Sequence, residues 1–263
     1  MTGAGLSEFF IFFFVGALAQ LVDGALGMAY GVISSTVLLG FGVPPSVASA
    51  SVHTAELFTT AASGTAHIAN RNIDWKLFWR LVPFGILGGV LGTYVLTSVD
   101  GSTIRPFVAA YLGVIGAILT LRSFRRMPRA ATPMHLVPPL GAAGGFLDSV
   151  GGGGWGPIVT SGLLGAGGQP RYVIGTVNAA EFLVTLAVSL SFLLALVTGH
   201  WEEAGDLSDH ALSVLGLIAG GILAAPLAGY AVRRIPERLL LRIVGLLICV
   251  LCVQQIVALL TQM

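Results

Sequence analysis

The sequence predicts an all-α polytopic membrane protein made of two inverted repeats. Each repeat opens with a broken or re-entrant helical hairpin and continues with about three transmembrane helices. The first observation behind this is composition: 55% of residues are hydrophobic and 10% charged, with a mean hydropathy of +0.90, far from the values of soluble domains. The second is an internal repeat. Residues 16 to 60 align without a gap on 141 to 185, and about 15 of about 45 positions are identical. The third is charge placement, which simple alternation of spans does not satisfy.

Eight apolar blocks follow one another near 6 to 39, 46 to 69, 77 to 98, 104 to 121, 136 to 165, 172 to 198, 211 to 231 and 239 to 261. The first and fifth exceed the ~20 residues of one span. Each carries an acid and a glycine cluster near its middle, so each is expected to enter and return as two pieces. The other six have the length of single crossings. The stretch Met1 to Phe14 has no basic n-region and no evident cleavage site, and is read as structure.

Basic residues gather at 70 to 80 (Arg71, Lys76, Arg80), 122 to 129 (Arg122, Arg125, Arg126, Arg129) and 233 to 242 (Arg233, Arg234, Arg238, Arg242). The segment 200 to 210 holds Glu202, Glu203, Asp206 and Asp209 with no Lys or Arg. If blocks one and five both return, the three basic loops share the cytoplasmic face and the acidic loop lies outside, with both termini. This divides the chain into a first repeat at 1–125, a basic cytoplasmic linker at 126–135 and a second repeat at 136–263. Weaker matches at an offset of 132, such as Gly88 with Gly220 and Gly113 with Gly245, extend the duplication over the whole chain.

The repeat also selects the candidate site. Asp23 falls on Asp148, Gly27 on Gly152, Gly31 on Gly156, His53 on Asn178 and Glu56 on Glu181. In block five, Asp148-Ser-Val-Gly-Gly-Gly-Gly-Trp155-Gly156-Pro157 places Pro157 where a half-helix can begin. Glycines 151 to 154 leave backbone N–H groups uncovered, able to form an anion nest at the positive end of the helix dipole. The plainer alternative is that these glycines only allow backbones to cross closely. Asp23 and Asp148 are read chiefly as caps of the broken helices. Helical spacing puts Ser49, His53 and Glu56 on one face, mirrored by Asn178 and Glu181.

Acids near the bilayer centre are costly, about 2.5–3.5 kcal/mol each on insertion scales, and are expected to face the interior. A carboxyl or imidazole there can carry a transported proton, so Glu56, Glu181 and His53 are coupling candidates beside Asp23 and Asp148; hydrogen bonding between repeats is the structural alternative. Trp75, Trp79 and Trp201 suit an interfacial belt, His67, His135, His200 and His210 are read as solvated, and Arg80 and Arg105 as snorkelling. Cys249 and Cys252 are read as packing thiols. No metal site and no cofactor are expected, and the net charge of +1 gives no footprint for nucleic acid.

Four stretches resemble the sulfite exporter (TauE/SafE) permease family: Asp23-Gly-Ala-Leu-Gly-Met-Ala-Tyr-Gly, Ala50-Ser-Val-His-Thr-Ala-Glu56, Phe146-Leu-Asp-Ser-Val-Gly-Gly-Gly-Gly-Trp-Gly-Pro157 and Ile174-Gly-Thr-Val-Asn-Ala-Ala-Glu181. The first half departs from the glycine-rich pattern at Met28 and Ala29. The resemblance implies a secondary permease for sulfur-containing or organic anions such as sulfite, thiosulfate or sulfonates, in a bacterial cytoplasmic membrane. In the combined picture Tyr30, His53, Gly153, Gly154, Trp155 and Asn178 line a central site for a small anion. Glu56 and Glu181 move protons or latch the halves. The partners expected are that anion, protons and the lipid bilayer, and the glycine-rich faces of blocks three and seven could serve a homodimer as well as the bundle interior. A passive anion channel is the first rival, and an intramembrane enzyme using His53 and Glu56 a weaker one, lacking a nucleophile.

Overall fold

The computed structural model describes residues 3–124, 134–201, 210–234 and 237–261. Among them the fold is entirely helical. The first half contains α1 (Gly3–Leu26), α2 (Tyr30–Gly40), α3 (Pro45–Ala69), α4 (Trp75–Ser98) and α5 (Gly101–Arg122). The second contains α6 (Val137–Gly151), a π-helical turn (Gly156–Thr160) running into α7 (Ser161–Gly165), then α8 (Pro170–Val197), α9 (Ala211–Arg234) and α10 (Glu237–Thr261). Both long blocks are broken where the acids and glycines fall. The linker expected at 126–135 lies, through residue 133, outside the described residues, as does the acidic stretch 202 to 209.

Local chemistry sets the boundaries. Pro45 and Pro170 open α3 and α8 at the first helical turn, where a missing N–H costs nothing. Asp74 caps α4 by accepting from the N–H groups of Lys76 and Leu77 at 3.0 and 3.1 Å, and Asp100 caps α5 through Ser102 and Thr103. The two breaks share one backbone form: Gly27 and Gly152 both sit at φ +65°, a left-handed conformation that favours glycine.

The halves interlock. α1 packs along α9, with Gly220 against the Phe13 carbonyl, and α6 packs along α4, with Gly88 against the Ala142 carbonyl. The equivalent helices α3 and α8 run antiparallel, so that His53 meets Phe192 near one end while Ser63 donates to Asn178 toward the other. α5 and α10 are antiparallel too, with Gly113 near Cys252 and Thr120 near Gly245. The free thiols Cys249 and Cys252 lie on α10, Cys252 buried in this seam.

Five helices among the described residues are long and apolar enough to cross a bilayer, within α1, α4, α5, α8 and α10. Large apolar side chains such as Phe107 (70% exposed) and Val197 (76%) cover their outer surface, as expected of a multi-pass membrane protein. α3, at 25 residues, is of similar length but less apolar. Its Ser46, Ser49, Ser51, His53, Glu56, Thr59 and Thr60 are all buried, so most of its polarity faces the protein interior, with Thr54 and Thr65 exposed.

Some sequence expectations need correction. Trp75 and Trp79 are exposed, but Trp201 is buried, packs on Phe192 and donates its indole N–H to Ser46 Oγ at 3.1 Å. His200 is exposed, in line with its expected solvation, and also stacks on Tyr94 with ring centroids 4.8 Å apart and bonds Ser98 Oγ. Arg122 ends α5 buried inside the bundle, donating to Ser161 Oγ at 2.6 Å and Met28 Sδ at 3.0 Å. A loop arginine would be solvated. Arg105 is half-buried and donates to the Leu39 carbonyl at 2.9 Å.

Candidate functional site

The two helix breaks cross each other at the centre of the bundle. Each is organised by its own aspartate. Asp23 Oδ1 accepts from the N–H groups of Ala29 (2.8 Å) and Tyr30 (3.3 Å), and Asp148 Oδ1 from those of Gly154 (2.7 Å) and Trp155 (2.9 Å). Donors and acceptor are related by the same offset of 125 residues as the sequence repeat. Both carboxyls thus cap the half-helix that follows the break, satisfying donors that the first turn leaves open.

Across the crossing the halves exchange hydroxyl bonds. Ser35 Oγ donates to the Gly152 carbonyl at 2.7 Å, and its counterpart Thr160 Oγ1 donates to the Gly27 carbonyl at 3.2 Å. Backbone lies directly on backbone here. A methyl on Gly31 would meet the Gly152 carbonyl and Gly153 Cα, and one on Gly156 would meet Met28 and Gly27. Gly153 is covered by Gly31 and Val32, and Gly154 by the Tyr111 hydroxyl and the backbone of residues 147 and 148. In this conformation the glycine run is therefore filled by the chain itself, with two of its N–H groups committed to Asp148.

His53 reaches into the second break from α3. Its Nδ1 lies 2.8 Å from the Ser49 carbonyl and its Nε2 3.2 Å from Asp148 Oδ2, with the ring fully buried. Ser49 Oγ donates to the Ser149 carbonyl. Glu56, one helical turn on, is buried with its Oε2 lacking a hydrogen-bond partner. His53, Glu56 and Asp148 place one ligand atom each within 4.8 Å of one another, the set among the described residues that could hold a metal ion.

The other candidates also converge on the crossing. Asn178 donates to the Ile174 carbonyl, accepts from Ser63 and lies where a methyl on Gly27 would strike it. Its place beside Gly27 matches that of the Ser49–His53 turn beside Gly152. Glu181 is buried one turn beyond. Tyr30 donates its hydroxyl to the Leu217 carbonyl and Trp155 its indole N–H to the Val177 carbonyl, so both aromatics anchor the half-helices to neighbouring helices. Sequence reading missed Ser35 and Thr160, though their matching positions were a usable signal. It also missed Tyr111 and the inward turn of Arg122, which have no counterpart in the repeat.

The family model described as "Sulfite exporter TauE/SafE" matches residues 12–254. The chain is 41% identical over 248 residues, 91% of its length and 80% of the relative's, to the "Probable membrane transporter protein YtnM" of Bacillus subtilis (strain 168). No solved structure matches it. With a match across nearly its whole length and both duplicated breaks falling inside it, the chain belongs to the TauE/SafE sulfite exporter family.

Proposed function

We propose that the protein is a secondary carrier for small sulfur-containing or organic anions, coupled to protons, whose two inverted halves alternately expose the crossing of the broken helices. The antiparallel packing of equivalent helices supports the inversion: if α3 and α8 both span the bilayer, they do so in opposite senses. Cysteines at Arg126→Cys and Ala204→Cys are expected to react with membrane-impermeant reagents from opposite sides. Same-side labelling would refute the inversion.

The contact between His53 and Asp148 carries the coupling. A carbonyl oxygen only accepts, so the 2.8 Å contact to Ser49 requires the proton of a neutral ring to sit on Nδ1. Nε2 would then present a lone pair to Asp148 Oδ2 at 3.2 Å. Two acceptors at that distance repel, so the pair is complete only with one further proton between them. Glu56 Oε2, also unpartnered, offers a second place for one. An anion entering beside four ionised carboxyls would be repelled, by about 4 kcal/mol for unit charges 4 Å apart at an effective dielectric constant of about 20. Loading these two protons first lowers that barrier, and the positive ends of two half-helices then face the anion.

The test is uptake of radiolabelled sulfite, thiosulfate and a small sulfonate into proteoliposomes, with and without an imposed pH gradient. Wild type is expected to accumulate at least one of them above equilibrium under the gradient. Glu56→Gln should still equilibrate the anion but lose the gradient-driven excess, and Asn178→Ala should raise KM several-fold. Flux that equilibrates and never accumulates would identify a passive channel. Metal bound stoichiometrically by the purified protein and lost in His53→Gln would reassign the His53, Glu56 and Asp148 cluster to a metal.

A further inference from the structure

We infer that a second anion-binding site, peripheral to the crossing, lies in the cavity between the end of α2, the start of α5 and the last turns of α10. The cavity has a volume of about 360 Å³ and is lined by Leu39, Phe41, Arg105, Leu251, Gln254 and Gln255 among others, a size typical of small-ligand pockets. Arg105 is its charged residue, and no carboxylate lines it among the described residues.

Two polar atoms there are unsatisfied. Arg105 is held by its Nη2 bond to the Leu39 carbonyl, while its Nε is buried with no hydrogen-bond partner. Gln255 donates from Nε2 to the Thr36 carbonyl at 3.0 Å, which fixes its amide orientation, and its Oε1 is buried without a partner. A buried donor on a cation and a buried acceptor, on two residues that line one cavity, are both unfavourable if left open. The ligand that satisfies both is a small oxyanion that also carries a hydrogen-bond donor, such as a sulfonate with a hydroxyl or amine, or a protonated oxyanion. Capping of α2 explains only the Nη2 bond.

α2 connects this cavity to the crossing, about 15 Å away by its 11-residue length. On the topology proposed above, the cavity opens on the outer face, where it would gather anions at the mouth of the pathway. Only this assignment of side rests on that reading.

The test uses Ala258, an exposed residue of α10 lining the cavity. In a Cys249→Ala, Cys252→Ala background, Ala258→Cys is expected to react about tenfold faster with a sulfonate-bearing thiosulfonate reagent than with a cationic one of equal size. Hydroxyethanesulfonate should protect the cysteine at lower concentration than methanesulfonate, which lacks a donor. Arg105→Gln should bring the rate ratio near one, Arg105→Lys should retain the charge preference, and Gln255→Leu should erase only the difference between the two protecting anions. Absence of anion preference, or a preference unchanged by Arg105→Gln, overturns the site. Labelling does not depend on transport, so a failed uptake assay and a failed Arg105 cavity site are distinct results.

Discussion

Asp148→Ala is expected to lower stability by about 2–5 kcal/mol, whereas Asp148→Asn should leave it within about 1 kcal/mol of wild type. Asp148 is 1% exposed and satisfies the N–H groups of Gly154 and Trp155. Alanine strands both donors in the interior and loses the cap of the half-helix. Asparagine keeps an oxygen for those donors, and its amide can donate to the lone pair of His53 Nε2, replacing the shared proton with a fixed hydrogen bond. On the proposed coupling, the fold would survive while the exchangeable proton disappears. Unfolding midpoints in mild detergent, read beside gradient-driven uptake, separate the two roles. Should Asp148→Asn be as unstable as alanine, or accumulate anion under a pH gradient to the same level as wild type, the shared-proton account fails.

Gly31→Ala and Gly156→Ala should each destabilise by about 1–3 kcal/mol or more and abolish uptake, while Gly165→Ala should be neutral or slightly stabilising. The added carbon on Gly31 would lie 2.6 Å from the Gly152 carbonyl oxygen and 2.8 Å from both Gly153 Cα and Glu56 Oε1. On Gly156 it would lie 2.7 Å from Met28 Cβ and 3.1 Å from the Gly27 carbonyl oxygen. Most of those atoms belong to the main chain, so relief requires the two broken helices to part. Gly165 faces open space within 4 Å. Because Gly31 and Gly156 share one crossing, the double substitution is expected to cost less than the sum of the singles, once the first has opened the gap. Thermal unfolding of all four variants checks this, and a tolerated Gly31→Ala would mean the crossing is looser than its contacts imply.

The architecture was legible because duplication and hydropathy carry it. Blocks at 6 to 39 and 136 to 165 became α1 with α2 and α6 with α7, and the expected half-helix start near Pro157 falls one residue after the turn begins at Gly156. The positions of Asp23 and Asp148 in the repeat led to the crossing for the same reason. What the sequence could not display are contacts between distant segments. Nothing local to Arg122 announces that it turns inward to Ser161 and Met28, since a terminal arginine beside a basic stretch has the composition of a loop. Trp201 has the flanks of an interfacial residue, and only the approach of Ser46 and Phe192 buries it. The pairing of His53 with Asp148 spans 95 residues and becomes visible only once α3 is laid against the second break.

The second half-helix begins as a π-helical turn, Gly156–Thr160, where the first begins directly as α-helix at Tyr30. Wider turns of this kind are uncommon and are less regular than the α-helix that follows. If the halves alternate as proposed, identical copies would make inward and outward openings mirror images of equal free energy, and the empty carrier would divide its time evenly between them. The unequal turns, together with histidine in one copy and asparagine in the other, remove that degeneracy. An imbalance of only about 1.4 kcal/mol makes one opening tenfold more populated. On the alternating mechanism proposed above, divergence between the copies would give the molecule a resting orientation, and with it a different apparent affinity for cargo on each side of the membrane.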